Sequence, residues 1–199
     1  MPLTAIFGGT FNPFHIGHYE MLKALDNNPN IDKILVLPDK IPPHKVCDFM
    51  AEDSIRIKMC EIAANDFSKA EVCLIEFERE GKSYSYDTVK LLKEKYPYET
   101  FTFVCGGDML VFFDKWHRYE ELMKEVSFTV FRRTDTDNKE FDECVEKFSK
   151  MGMDITVMKE VIPTVSSSEI RNDYSRAEEL VPTHIFEFLK EKRIYLENN

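Results

Sequence analysis

Short β-branched and apolar runs recur along the chain at residues 3–7, 33–37, 71–77, 101–105, 128–131 and 155–158. Segments with helical spacing lie between them. Ile55, Met59 and Ile62 fall at i, i+4 and i+7, and Ser85, Val89 and Leu92 repeat that spacing, with Pro97 closing the helix. Pro182 suits a first helical turn ahead of Ile185, Phe188 and Leu189. Strands alternating with helices predict an α/β fold, a doubly wound and mostly parallel sheet flanked by helices. No repeat or linker-like stretch divides the chain, so one domain over residues 1–199 is expected, its last part (about 160–199) carrying a late motif and a closing helix. Ligands of such sheets bind beyond the carboxyl ends of the strands, where the strand order reverses. The loops that follow strands are therefore the places to search.

Composition removes several classes of function. With 43% apolar and 13% aromatic residues the chain can build a core, which excludes disorder. No apolar run approaches the ~20 residues of a membrane helix, and the first residues carry no basic export signal, so no membrane partner and a cytoplasmic location are expected. Five cysteines, widely spaced and without a CxxC pair, fit reduced thiols and argue against a disulfide framework or a zinc site. Against 26 basic side chains stand 36 acidic ones, a net charge of −10. That field disfavours nucleic acid as a partner, because non-specific binding depends on neutralising phosphates. Any anion must be gripped in a local pocket.

The first such pocket is suggested by the string Gly8-Gly9-Thr10-Phe11-Asn12-Pro13-Phe14-His15-Ile16-Gly17-His18, which leaves the first strand and enters the first helix. Gly8 and Gly9 remove side chains where backbone passes close to a ligand. Thr10 adds a hydroxyl, and the opening helix turn offers unpaired N–H groups and a partial positive charge. His15 and His18, three residues apart, share one face of the helix entry. These two histidines are expected to be mostly neutral when empty and charged, or strongly donating, beside a polyphosphate. Far along the chain, Ser166-Ser167-Ser168-Glu169-Ile170-Arg171 reads as a serine N-cap with a short helix behind it. It presents hydroxyls and N–H groups, and Arg171 supplies a permanently charged fork.

The first string resembles the nucleotidyltransferase signature GG-T/S-F-D/N-P-x-H-x-G-H, with Asn12 where many members carry Asp. The late string is similar to that superfamily's S-S/T-x-x-I-R motif. Intervening segments resemble the bacterial nicotinate mononucleotide adenylyltransferases: Pro42-Pro43-His44-Lys45 matches their PPHK loop, and Ser83-Tyr84-Ser85-Tyr86-Asp87-Thr88 their SYT-x-DT stretch, with Ser85 where many have Thr. Gly106-Gly107-Asp108, Lys115-Trp116-His117 and Phe131-Arg132-Arg133 resemble further segments, although Thr134 stands where Pro usually follows the arginine. Val181-Pro182 and Ile194-Tyr195 are similar to the family's ending, and the likeness is weakest over residues 135–150.

The resemblance implies a Rossmann-like nucleotidyltransferase fold that transfers AMP from ATP to the 5′-phosphate of nicotinate mononucleotide, with release of pyrophosphate. His15, His18 and Arg171 are then the catalytic candidates. Gly8, Gly9, Thr10, Phe11, Gly106, Asp108, Arg133, Ser167 and Ser168 are the candidates for binding ATP, and His44, Lys45, Ser85 and Trp116 for binding the mononucleotide. Mg²⁺ is expected as cofactor, held mainly through ATP phosphates, with no dedicated protein metal site. Trp116, the one tryptophan, suits stacking on a pyridine ring. Asp108 suits ribose hydroxyls, or the cap of a helix over residues 109–113. His117 and His184 read as surface residues, Met109, Phe112 and Phe113 as core, and Glu120–Glu121 and Glu178–Glu179 as solvated faces. Aromatics near the C-terminus, read as exposed, leave a homo-oligomer open. The alternatives are nicotinamide mononucleotide or phosphopantetheine as acceptor, or a nucleotide sensor without chemistry.

Overall fold

The computed structural model describes residues 1–42, 49–135 and 137–196. Its strands are β1 (Leu3–Gly9), β2 (Lys33–Pro38), β3 (Ala70–Val72), β4 (Thr100–Gly106), β5 (Ser127–Arg133) and β6 (Ile155–Ile162). They pair in parallel in the order β3-β2-β1-β4-β5-β6. The helices are α1 (Ile16–Asp26), α2 (Asp53–Ala64), α3 (Ser85–Lys95), α4 (Gly107–Val111), α5 (Tyr119–Glu125), α6 (Asn138–Lys150), α7 (Ser167–Asn172), α8 (Ala177–Leu180) and α9 (Thr183–Glu191). This is the doubly wound, Rossmann-like sheet that the alternation predicts.

Period-two alternation in the central strands builds a core on each face of the sheet. Ala5 and Phe7 of β1 and Ile34 and Val36 of β2 pack with Leu22 and Leu25 of α1, Met59 of α2 and Leu189 of α9. Ile6, Leu35 and Leu37 turn the other way, onto Val89 and Leu92 of α3, Leu122 of α5 and Phe148 of α6. The order reverses between β1 and β4, whose carboxyl ends at Gly9 and Gly106 therefore open onto one crevice.

Three elements differ from the sequence expectation. The run 71–77 is a strand only through Val72. It pairs with β2 alone, and after Cys73 donates its N–H to Val36 the chain turns into a 3₁₀ turn at Ile75–Phe77. Glu76 drives that departure, because its carboxylate turns inward to accept from Thr88 and from Arg79 Nη2 (3.0 Å). Strand β6 runs four residues beyond Met158, past a register irregularity in which Val130 faces Val157 but Arg132 faces Val161. Its charged edge residues Lys159 and Glu160 hide that extension. Helix α6, in the stretch of weakest family likeness, is capped by Asp137, which accepts from the N–H groups of Lys139 (2.8 Å) and Glu140 (3.2 Å).

The C-terminal aromatics pack inward. Phe186 and Phe188 are half-buried against the core, and Tyr195 is only 2% exposed. These aromatics, read as exposed, are therefore part of the core packing. No described helix is long and apolar enough to cross a membrane. Among the described cysteines, Cys60, Cys73 and Cys105 are buried free thiols and Cys144 is a half-buried one.

Candidate active site

The first loop caps the helix that follows it with its own histidines. His15 is the N-cap of α1, in extended conformation, and its Nδ1 accepts the N–H of His18 at 3.4 Å. In return His18 Nδ1 accepts the N–H of His15 at 3.2 Å, so two histidines make the reciprocal capping arrangement usually made by Ser and Glu. The rings stack with centroids 3.6 Å apart. Because each Nδ1 accepts a main-chain N–H, the neutral ring carries its proton on Nε2 and donates from there. This leaves Nε2 of each ring as the nitrogen able to donate. Phe11 and Phe14 hold the His18 ring at centroid distances of 5.0 and 5.2 Å. Phe11 is 1% exposed and also lines the cleft. Gly17 keeps this corner close-packed, since a Cβ there would stand 3.1 Å from the His15 ring and 3.2 Å from the Pro163 carbonyl oxygen.

The late motif closes on this corner. Ser166 caps α7 by accepting from Glu169 N–H at 3.1 Å. Ser167 Oγ donates to the Pro13 carbonyl at 2.9 Å, across 154 residues of sequence. Arg171 Nη1 donates to the Asn12 carbonyl at 2.6 Å, and its Nη2 to Ser168 Oγ at 3.0 Å. The two ends of the chain thus meet in one cleft of about 390 Å³.

His15, His18, Gly8, Gly9, Thr10 and Arg171 line that cleft, as do Trp116, His117, Tyr84 and Ser85. Trp116 is half-buried, with its ring held edge-on by Phe103 at 5.6 Å. Ser85 opens α3, whose N-terminus has no side-chain cap. The loop that carries it is fastened to the chain after β2: Ser83 Oγ accepts from the N–H groups of Lys40 (3.2 Å) and Ile41 (3.3 Å). In the middle, Asp108 Oδ1 pairs with Arg133 Nε at 2.9 Å. Gly106 is the N-cap of α4, which places Asp108 in the first turn and not at the cap. His44 and Lys45 lie outside the described residues. Met109 and Phe112, read as core, are 37% and 64% exposed, and Met109 lines the cleft; only Phe113 is core.

A cytidylyltransferase-like family model matches residues 6–173. A "Probable nicotinate-nucleotide adenylyltransferase" of Listeria welshimeri is 34% identical over 190 residues, covering 96% of this chain and 95% of that one. The chain belongs to the nicotinate-nucleotide adenylyltransferase family. A Lactococcus lactis relative with the same name is 34% identical over 193 residues, 96% of this chain and 93% of its own. The solved structure of Plasmodium falciparum nicotinic acid mononucleotide adenylyltransferase complexed with NaAD superposes with a TM-score of 0.77. It covers 98% of both chains at 23% identity, a likeness that establishes the fold.

Two cleft features of this family member were not read from sequence. His117 lies against Tyr84, ring centroids 4.3 Å apart, although it reads as a plain surface residue. Arg56 is fully buried in α2 behind the first loop and donates to the carbonyls of Thr10 (3.0 Å) and Asp39 (2.6 Å). Cys105 is the thiol at the cleft wall. Burial, and secondarily the charge of Asp108, push it up to about 12, so it is no nucleophile at neutral pH.

Proposed function

We propose that the cleft joins ATP to nicotinate mononucleotide, the triphosphate lying at the His15–His18–Arg171 end and the pyridine beside Trp116. The observation that carries this reading is the docking of α7 on the first loop through Arg171–Asn12 and Ser167–Pro13, which gathers the donors at one end of a continuous cleft. An oxygen of the mononucleotide's 5′-phosphate forms a bond to the α-phosphorus of ATP. The bond from that phosphorus to the bridging oxygen breaks, and its electron pair leaves with pyrophosphate. The attacking phosphate is already anionic at pH 7, so no general base is required. Catalysis reduces to holding two mutually repelling anions in line and donating to the oxygens on which charge gathers. The Nε2–H groups of His15 and His18 and the guanidinium of Arg171 supply those donors, with the N-terminus of α1 behind them. Gly8, Gly9, Thr10, Ser167 and Ser168 line the phosphate end, and Gly106, Asp108 and Arg133 the floor toward the ribose.

Among the described residues no group of three His, Cys, Asp or Glu side chains could hold a metal. The carboxylates on the cleft wall are Asp39, which accepts from Thr10 Oγ1 at 3.4 Å, and Asp108, paired with Arg133. This set fits Mg²⁺ held chiefly by substrate phosphates, with Asp39 as the nearby carboxylate. When bound, the ion neutralises charge on the triphosphate.

The side-chain-uncapped N-terminus of α3 favours an acidic pyridine over its amide, because its first N–H groups and positive end suit a carboxylate. Pyrophosphate release is to be measured with ATP and each of nicotinate mononucleotide, nicotinamide mononucleotide and phosphopantetheine. Turnover is expected to be fastest with the first. Fastest turnover with another acceptor reassigns the substrate, and no turnover alongside tight ATP binding favours a sensor. A cytosolic enzyme of NAD synthesis follows from the expected activity.

Trp116 gives a second test. Stacking is worth about 0.5–1.5 kcal/mol, so Trp116→Ala is expected to raise KM for nicotinate mononucleotide about three- to tenfold and to leave KM for ATP within about twofold. Because it is the sole tryptophan, mononucleotide binding should also change the intrinsic fluorescence. Equal changes in both KM values would remove the stacking role.

A further inference from the structure

Asn12 is 1% exposed, and every polar atom of its side chain is engaged. Its Nδ2 donates to the Phe49 carbonyl at 2.9 Å. Its Oδ1 accepts the N–H of Ala51 at 3.1 Å and the hydroxyl of Tyr195 at 2.6 Å. Its carbonyl oxygen receives Arg171. Tyr195 comes from the far end of the chain, 183 residues away. Beyond α9, Arg193 (φ 56°) and Tyr195 (φ 66°) adopt left-handed conformations that turn the chain back on itself. Such conformations are unfavourable for a bulky side chain and persist where the surroundings enforce them. Here the buried phenol finds an acceptor under the first loop and sets its ring edge-on against Phe49 at 5.6 Å.

We infer that Tyr195 is a positioning residue for nucleotidyl transfer: through the Asn12 side chain it fixes the peptide whose carbonyl holds Arg171. The inference rests on the reading of the cleft given above. Arg171 is exact in placement only if the Asn12 carbonyl is, and that carbonyl belongs to a loop without regular hydrogen bonding of its own. The side-chain clamp replaces what a helix or sheet would provide. In this chain the amide donates to the Phe49 carbonyl, a bond that the aspartate many members carry at this place could not make.

The test compares Tyr195→Phe, Asn12→Ala, Asn12→Asp and the Asn12→Ala/Tyr195→Phe double variant in the full chain. Tyr195→Phe keeps the ring and removes one hydroxyl, so the fold is retained. It is expected to lower kcat about three- to tenfold with KM for ATP within about twofold, the size of one lost hydrogen bond in the transition state. On the Asn12→Ala background the same change should have no further effect, because its path runs through Asn12. Asn12→Asp should lose more activity than Tyr195→Phe. Amide hydrogen exchange without substrate should accelerate at Ala51 and across residues 10–15 in Tyr195→Phe. Unchanged kcat and exchange in Tyr195→Phe, or losses that add fully in the double variant, overturn the inference. Should the parent chain turn over no acceptor, the proposed function falls, and the exchange measurement alone decides the role of Tyr195.

Discussion

His18→Ala is expected to lower kcat about 10²–10³-fold, the range found when one preorganised donor to a developing anion is removed. KM for ATP and for the mononucleotide should change far less, since the donor acts on charge that appears only during the reaction. The geometry sharpens that expectation. His18 Nδ1 is spent on the N–H of His15, so what the side chain brings to the cleft is its Nε2–H. The ring is held by Phe11, Phe14 and the stacked His15 ring, which fixes the donor before substrate arrives. The same substitution removes half of the reciprocal cap of α1 and costs about 1 kcal/mol of stability. In a chain of this length that lowers Tm by about 2–4 °C, too little to account for the lost rate. Steady-state kinetics with a melting curve on the same preparation separate the two effects. A kcat near that of the parent would take the transition-state role from His18.

What could be read from the sequence was the chemistry packed into contiguous strings. Residues 8–18 and 166–171 each carry loop, cap and donors within one turn of chain, so their local pattern already specifies their local structure. Their meeting across the cleft followed from the resemblance and is realised in Arg171–Asn12. What stayed hidden depends on partners remote in sequence. Tyr195 looked like a terminal aromatic until its hydroxyl was seen on Asn12. Glu76 sat inside an apolar run and read as part of a strand, while its burial with Arg79 and Thr88 is what bends the chain out of the sheet. His117 had no neighbour in sequence to suggest that Tyr84 would face it. Helix α6 was missed although Asp137, Phe141 and Phe148 are the cap and the i, i+7 buried positions of an ordinary amphipathic helix.

Arg56 belongs to the same class, and its removal is expected to have the largest effect on stability. It lies three residues after Asp53 on α2, a spacing that on an exposed helix face gives an ion pair worth less than about 1 kcal/mol. In the structure its side chain has no exposure, while Asp53 is half exposed. Its Nη1 serves two carbonyls, Thr10 O in the first loop and Asp39 O just beyond β2. Substitution by methionine keeps the volume and removes every donor. The two carbonyls lose a charged partner in a place where water does not replace it, and Asp53 loses its counter-ion. Each buried carbonyl left without its donor costs about 1–3 kcal/mol, so about 2–6 kcal/mol is lost for the two. Tm should therefore fall by roughly 10 °C, at about 2–4 °C per kcal/mol for a chain of this size. If Thr10 binds ATP as proposed, KM for ATP should rise together with the loss of stability, and Arg56→Lys should recover only part of both, having one compact ammonium where the guanidinium serves two carbonyls and Asp53. A Tm within about 2 °C of the parent for Arg56→Met would mean that these carbonyls are satisfied without it.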